Sequence, residues 1–152
     1  MSFDALLYTV HLLAALIWVG GMFFAWTILR PAAIAALPGP QRLQLWAQVL
    51  PRFFVFVWLA VAILPISGVA IVRMRFSGLE TAPHYVQVMM GLYLVMVAIF
   101  LRIQTLLLPE LRKAVLAEDW PAGAAVMGTI RRWVGVNLLV GLAVVMVAGL
   151  RI

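Results

Sequence analysis

Four long apolar runs, separated by short polar punctuation, organise the chain. They extend from about Ala5 to Leu29, Phe53 to Val72, Tyr85 to Leu108 and Trp133 to Leu150. A helix rises about 1.5 Å per residue, so about 20 apolar residues cross the roughly 30 Å hydrocarbon layer of a bilayer, and each run meets that length. None shows the strict alternation of a barrel strand. Lipid offers no hydrogen bonds to an open backbone, so each run is predicted to be a helix. The fold class is therefore all-α: an integral membrane four-helix transmembrane bundle, with residues 1–152 as one four-span domain (spans 5–29, 53–72, 85–108 and 133–150). Short connections favour antiparallel neighbours.

The connections differ in character. Arg30-Pro31 is expected to end the first run and Pro109 the third. "PGP" at 38–40 reads as a turn, and "QRLQLWAQVL" after it carries Leu43, Trp46, Val49 and Leu50 at helical spacing. Two readings fit that stretch, an amphipathic helix lying in the interface and a plain start to the second helix. Between the second and third spans, Thr81 is the expected N-cap and Pro83 fits the first turn. After Pro109 a helical extension is expected, with a turn at Trp120-Pro121. "LPISG", Leu64 to Gly68, should kink the second helix and open space.

Composition sharpens this picture. The chain is 66% hydrophobic and 11% charged, whereas soluble domains are about half apolar and a quarter charged. The net charge of +6 sits at the ends of runs, as headgroup anchoring requires. With no basic stripe on a polar face, nucleic acid is excluded as a partner and the lipid bilayer is the expected one. The loops after the first and third spans carry seven basic residues (Arg30, Arg42, Arg52, Arg112, Lys113, Arg131, Arg132) against three elsewhere outside the spans (Arg73, Arg75, Arg151). The positive-inside rule then places those loops in the cytoplasm and both termini on the outer, periplasmic side of a bacterial inner membrane. "MSFDALL" lacks the basic start of a cleaved signal, so the first run is read as a retained span. The absence of cysteine removes disulfide and thiolate chemistry.

Candidate chemistry centres on the two histidines. An ionisable residue inside a span is costly and points to function. His11 shares a helix face with Tyr8, Ala15, Trp18 and Met22, and Gly20 and Gly21 admit a close neighbour or a flat ligand. A neutral imidazole there suits a transition metal or heme iron; the plainer reading is a ring that bonds a neighbouring carbonyl. His84 opens the third span at the same end, with a depth difference of about 10 Å from His11. Met89 and Met90 follow as soft ligands for Cu(I), or as packing residues. Asp4, one helical step beyond Tyr8, either orients His11 or favours the helix start. Arg102, inside the third span, snorkels to headgroups or meets an anionic group such as a propionate or quinone head. Asn137 is expected to bond another helix. No nucleotide-binding, hydrolase or zinc-protease motif occurs.

"HLLAALIWVGGMFF", with histidine followed seven residues later by Trp-x-Gly-Gly, resembles the first helix of copper resistance protein D (CopD-like) membrane domains. That resemblance implies copper handling at the inner membrane, with His11 as the functional histidine and Trp18, Gly20 and Gly21 as companions. More distantly the chain is similar to HemJ-type four-helix proteins, in which a first-helix histidine binds heme b; it has "MFFAWTILRP" where those carry Leu-Pro-Arg.

The leading expectation is a copper ion held near the periplasmic face by His11, with His84 as a second ligand and Met89 or Met90 supplying sulfur. A periplasmic copper donor is the partner this implies. The alternative is a heme b redox protein exchanging electrons with a membrane quinone or porphyrin, its cofactor held among His11, His84, Tyr8, Trp18, Gly21 and Arg102. Only in that case is the chain an enzyme, a heme-dependent membrane oxidoreductase; no catalytic residue is assigned. A third reading is an accessory membrane subunit. Glycine-bearing faces permit a homodimer.

Overall fold

The computed structural model describes residues 1–152 and is entirely helical. Four helices are each long and apolar enough to cross a membrane: α1 (Phe3–Ala36), α2 (Gly39–Phe76), α3 (His84–Leu116) and α4 (Trp120–Leu150). Connections at 37–38, 77–83 and 117–119 reverse the chain. Both termini and the 77–83 connection therefore share one end of the bundle, called the upper end below; the other two connections share the lower end. α1 packs mainly on α2, and α3 mainly on α4.

Local chemistry explains the ends. Ser2 caps α1 by accepting from the Ala5 amide at 3.1 Å, and Asp119 caps α4 by accepting from the Ala122 amide at 3.2 Å. Each satisfies a donor that the first turn leaves free. The Trp120-Pro121 pair, expected as a turn, opens α4 instead, because the proline has no amide to lose in a first turn. Likewise the lower turn is Leu37-Pro38, and Gly39-Pro40 already belong to α2. Pro83 is the N-cap of α3, while the Thr81 hydroxyl donates to the Phe76 and Gly78 carbonyls and closes the end of α2. Residues 41–50 form no separate interfacial helix; they continue unbroken through Pro51 into the span.

Neither of the prolines that close the first and third apolar runs ends its helix. α1 runs through Pro31 and α3 through Pro109. In both, a π-helical turn precedes the proline, at Ala25–Leu29 and at Ile103–Leu107. Arg30 and Leu108 donate their amides to Ala25 and Ile103, five residues back. Such a widened turn re-aims the helix where the ring would otherwise meet the preceding turn. Each π turn holds a threonine whose hydroxyl donates to a carbonyl one turn back: Thr27 to Phe23, and Thr105 to Leu101 at 2.6 Å. "TILRP" at 27–31 and "TLLLP" at 105–109 are thus one device used twice, 78 positions apart.

An aromatic cluster fills the middle of the bundle. Trp18, 1% exposed, meets Tyr93 and Phe100 edge-on at 6.4 and 6.2 Å, and Phe100 also meets Phe54 and Trp58 at 5.2 and 5.0 Å. Edge-to-face pairs of this kind each add about 0.5–1.5 kcal/mol beyond area burial. Tyr93 also repairs α2. Pro65 cannot donate to the Val61 carbonyl, and the Tyr93 hydroxyl donates to it at 2.7 Å. Large apolar side chains such as Leu12, Leu16, Leu94 and Leu139 point outward, as a lipid-facing surface requires.

Candidate metal centre at the upper end

α1 and α2 build the site between them. On α1, Asp4, Tyr8 and His11 lie on one face. On α2, Ser67, Ile71 and Arg75 follow at successive four-residue steps, with Ser67 and Ile71 buried. Gly68 lets the two helices close: a Cβ there would stand 3.4 Å from His11 Cε1, so the imidazole lies against bare backbone. Gly21, lower on the same interface, is needed more strictly. A Cβ there would lie 2.2 Å from the Phe53 ring, whereas Gly20 faces open space with its nearest neighbour at 4.0 Å.

His11 Nδ1 lies 2.7 Å from Ser67 Oγ, and that oxygen lies 2.7 Å from the Ile63 carbonyl and 3.3 Å from that of Leu64. These distances fix the proton. The serine hydroxyl has one hydrogen and the carbonyls can only accept, so the hydroxyl donates to backbone and accepts from the ring. In the neutral ring Nδ1 therefore carries the proton and Nε2 keeps its lone pair. A ring nitrogen fixed by a donor bond on its far side is how metal-binding histidines are commonly held.

The other sequence candidates fall in several places. Asp4 pairs with Arg75 at 3.6 Å and not with His11; the Arg75 guanidinium also lies 4.5 Å from the centre of the Tyr8 ring. Both charged partners are well exposed, so the pair contributes at most about 1 kcal/mol. Trp18 is a core residue, and Gly21 serves packing. His84 is the first residue of α3 and is exposed; Met89 is half-buried and Met90 exposed. Arg102 lies a little below mid-bundle, exposed, 5.4 Å from the centre of the Trp133 ring. Asn137 bonds across to α3, donating to the Met96 carbonyl at 3.3 Å. No group of three or more His, Asp or Glu side chains gathers anywhere in the chain.

Sequence reasoning missed Ser67 as the partner of His11, although "LPISG" held the signal: a serine two residues after a proline, on a run with almost no other polar side chain. It also missed the repeated Thr-x-Leu-x-Pro device. Shifting His11 by the same 78 positions gives Met89. The cross-bundle contacts agree, since Trp18 lies between Tyr93 and Phe100, and seven residues above that level on α3 is again Met89. His84 stands five residues higher, about 8 Å further out.

No curated protein matches the chain, and no solved structure matches it. The family model described as copper resistance protein D matches residues 47–151. The match takes in most of α2 with Ser67 and Gly68, and all of α3 and α4; α1 with His11 precedes it. Four membrane-competent helices and a match over most of the length agree, and the chain belongs to the copper resistance protein D family.

Proposed function

We propose that the protein handles copper as cargo at its upper end, with His11 Nε2 as the principal nitrogen donor. The observation that carries this reading is the His11–Ser67–Ile63 hydrogen-bond chain, which leaves Nε2 unprotonated within the apolar part of a copper resistance protein D family member. Imidazole and thioether are donors that suit Cu(I), and Met89 on α3 supplies sulfur at the level of His11. His84, exposed and further out, receives the ion from a periplasmic donor and passes it inward. One imidazole with a thioether makes an open donor set, which suits an ion that must leave again. The excess of basic residues toward the lower end supports an orientation with the upper end and both termini in the periplasm of a bacterial inner membrane.

Purified chain loaded with Cu(I) under reducing conditions and washed should hold about one copper per chain by elemental analysis and remain colourless, as one site with soft donors predicts. His11→Ala should lose that copper while keeping its helical circular dichroism. A folded His11→Ala protein with full copper content would overturn the proposal. A red sample with a Soret band would replace copper by heme b, and a copper-free sample held tightly to other subunits would assign an accessory role.

A further inference from the structure

A second region of the molecule is built to hold a ligand, and it lies at the opposite end from His11. Between the lower halves of the four helices is a cavity of about 440 Å³. It reaches from Trp18 and Asn137 near mid-bundle to Arg42 and Trp120 at the lower connections. Three of the five buried polar side-chain atoms that lack any partner in this protein belong to residues lining this one cavity: Arg30 Nε, Arg42 Nε and Asn137 Oδ1. Asn137 is 2% exposed. A buried polar atom left unpaired costs about 1–3 kcal/mol; Arg30 Nε and Arg42 Nε are both donors toward the lower end, and an acceptor placed there would complete their bonding, whereas Asn137 Oδ1 is an acceptor at the other, mid-bundle end.

The shape restricts what that is. On α1 the lining runs from Trp18 to Ile34, a rise of about 24 Å. A long, mostly apolar space with basic side chains toward one end suits an extended hydrocarbon chain with an anionic head. The upper part is apolar and aromatic, with Phe53, Phe54 and Phe100 along it. Arg30, Arg42 and Arg131 line the lower part, beside Trp26, Trp46 and Trp120. Tryptophans gather where a membrane meets water, so the guanidinium groups stand at headgroup level.

We infer that this slot binds one anionic amphiphile: a carboxylate or phosphate head against Arg30 and Arg42, and one acyl chain running up between the helices toward Trp18. Guanidinium groups suit both heads, since each offers oxygens to a forked donor. A free fatty acid and an anionic phospholipid with one chain inserted share this chemistry. The site is separate from the copper reading and stands or falls without it.

Native mass spectrometry of the full chain, released from a mild detergent after delipidation, tests this with palmitate, a palmitoyl-oleoyl phosphatidylglycerol and the matching phosphatidylcholine as probes. One palmitate or one phosphatidylglycerol should be retained per chain, with a preference over phosphatidylcholine of about tenfold for charge-assisted bonding. Retention of palmitate alone identifies a fatty-acid site, and of phosphatidylglycerol a membrane phospholipid. The double variant Arg30→Gln/Arg42→Gln should lose the preference. Gly128 lines the slot, and a Cβ there would meet nothing within 4 Å. Gly128→Leu should therefore keep its helical circular dichroism and lose the adduct. Phosphatidylcholine held as well as the anionic probes, or an adduct that survives Gly128→Leu in a folded protein, would overturn the inference.

Discussion

Replacing Ser67 by alanine removes one oxygen and leaves almost everything else in place. The Cβ stays, Gly68 stays against the imidazole, and the Ile63 and Leu64 carbonyls keep their helical amide donors. What disappears is the acceptor 2.7 Å from His11 Nδ1. The ring is then free to carry its proton on either nitrogen and to turn about its side-chain bonds. Loss of such a partner typically costs 10–100-fold in metal affinity, which is about 1.4–2.7 kcal/mol. The cost in folding stability should be smaller, about 0.6 kcal/mol, the average for one interhelical hydrogen bond in a membrane protein. A competition titration of Cu(I) against a chromophoric chelator reads the first quantity, and unfolding in mixed micelles reads the second. The expected result for Ser67→Ala is weaker copper binding at unchanged stoichiometry, with only a slight loss of stability. Copper affinity equal to the parent's would refute the reasoning, because it would mean that the serine does not set the tautomer on which Nε2 depends. A large stability loss with unchanged affinity would show Ser67 to be a structural residue alone.

Tyr93→Phe keeps the ring against Trp18 and leaves the Val61 carbonyl, freed by Pro65, without its donor; a cost of about 1–2 kcal/mol is expected. In a Pro65→Ala background the helix supplies its own amide to Val61, so the same change should cost close to nothing, and equal costs in both backgrounds by denaturant unfolding would count against the compensation. Gly21→Ala drives a methyl into the Phe53 ring and should destabilise by about 1–3 kcal/mol, whereas Gly20→Ala, facing open space, should be neutral or slightly stabilising. Thermal unfolding of the two variants side by side decides it, and a shift of the same sign and size in both would be inconsistent with the packing described.

Much of the molecule is legible in the sequence because a bilayer leaves few options. An apolar stretch of sufficient length has to be a helix, and four of them with short connections have to run back and forth. That argument needs no knowledge of contacts, so the helices and their sequence order follow from local pattern alone. His11 is legible for a similar reason, since a titratable ring in an oily run is conspicuous wherever its neighbours lie. Helix boundaries are less legible. The hydropathy pattern breaks at both Pro31 and Pro109, but a π turn with a back-bonding threonine lets each helix continue. Whether a proline breaks or merely bends a helix depends on the hydrogen bonds around it, which a hydropathy pattern does not record.

What only the tertiary structure decided are the relations between positions far apart in the chain. Ser67 is 56 residues from His11, and nothing local to either reveals that one fixes the proton of the other. The same holds for Tyr93 restoring the carbonyl that Pro65 abandons, for Asp4 turning to Arg75 instead of the imidazole, and for Arg30 and Arg42 lining one cavity. Sequence pattern encodes which face of a helix is apolar, because burial is a property of each residue. It does not encode which helix that face meets or at what height, because that is set by the fit of side chains between helices, where one glycine or one ring shifts the register.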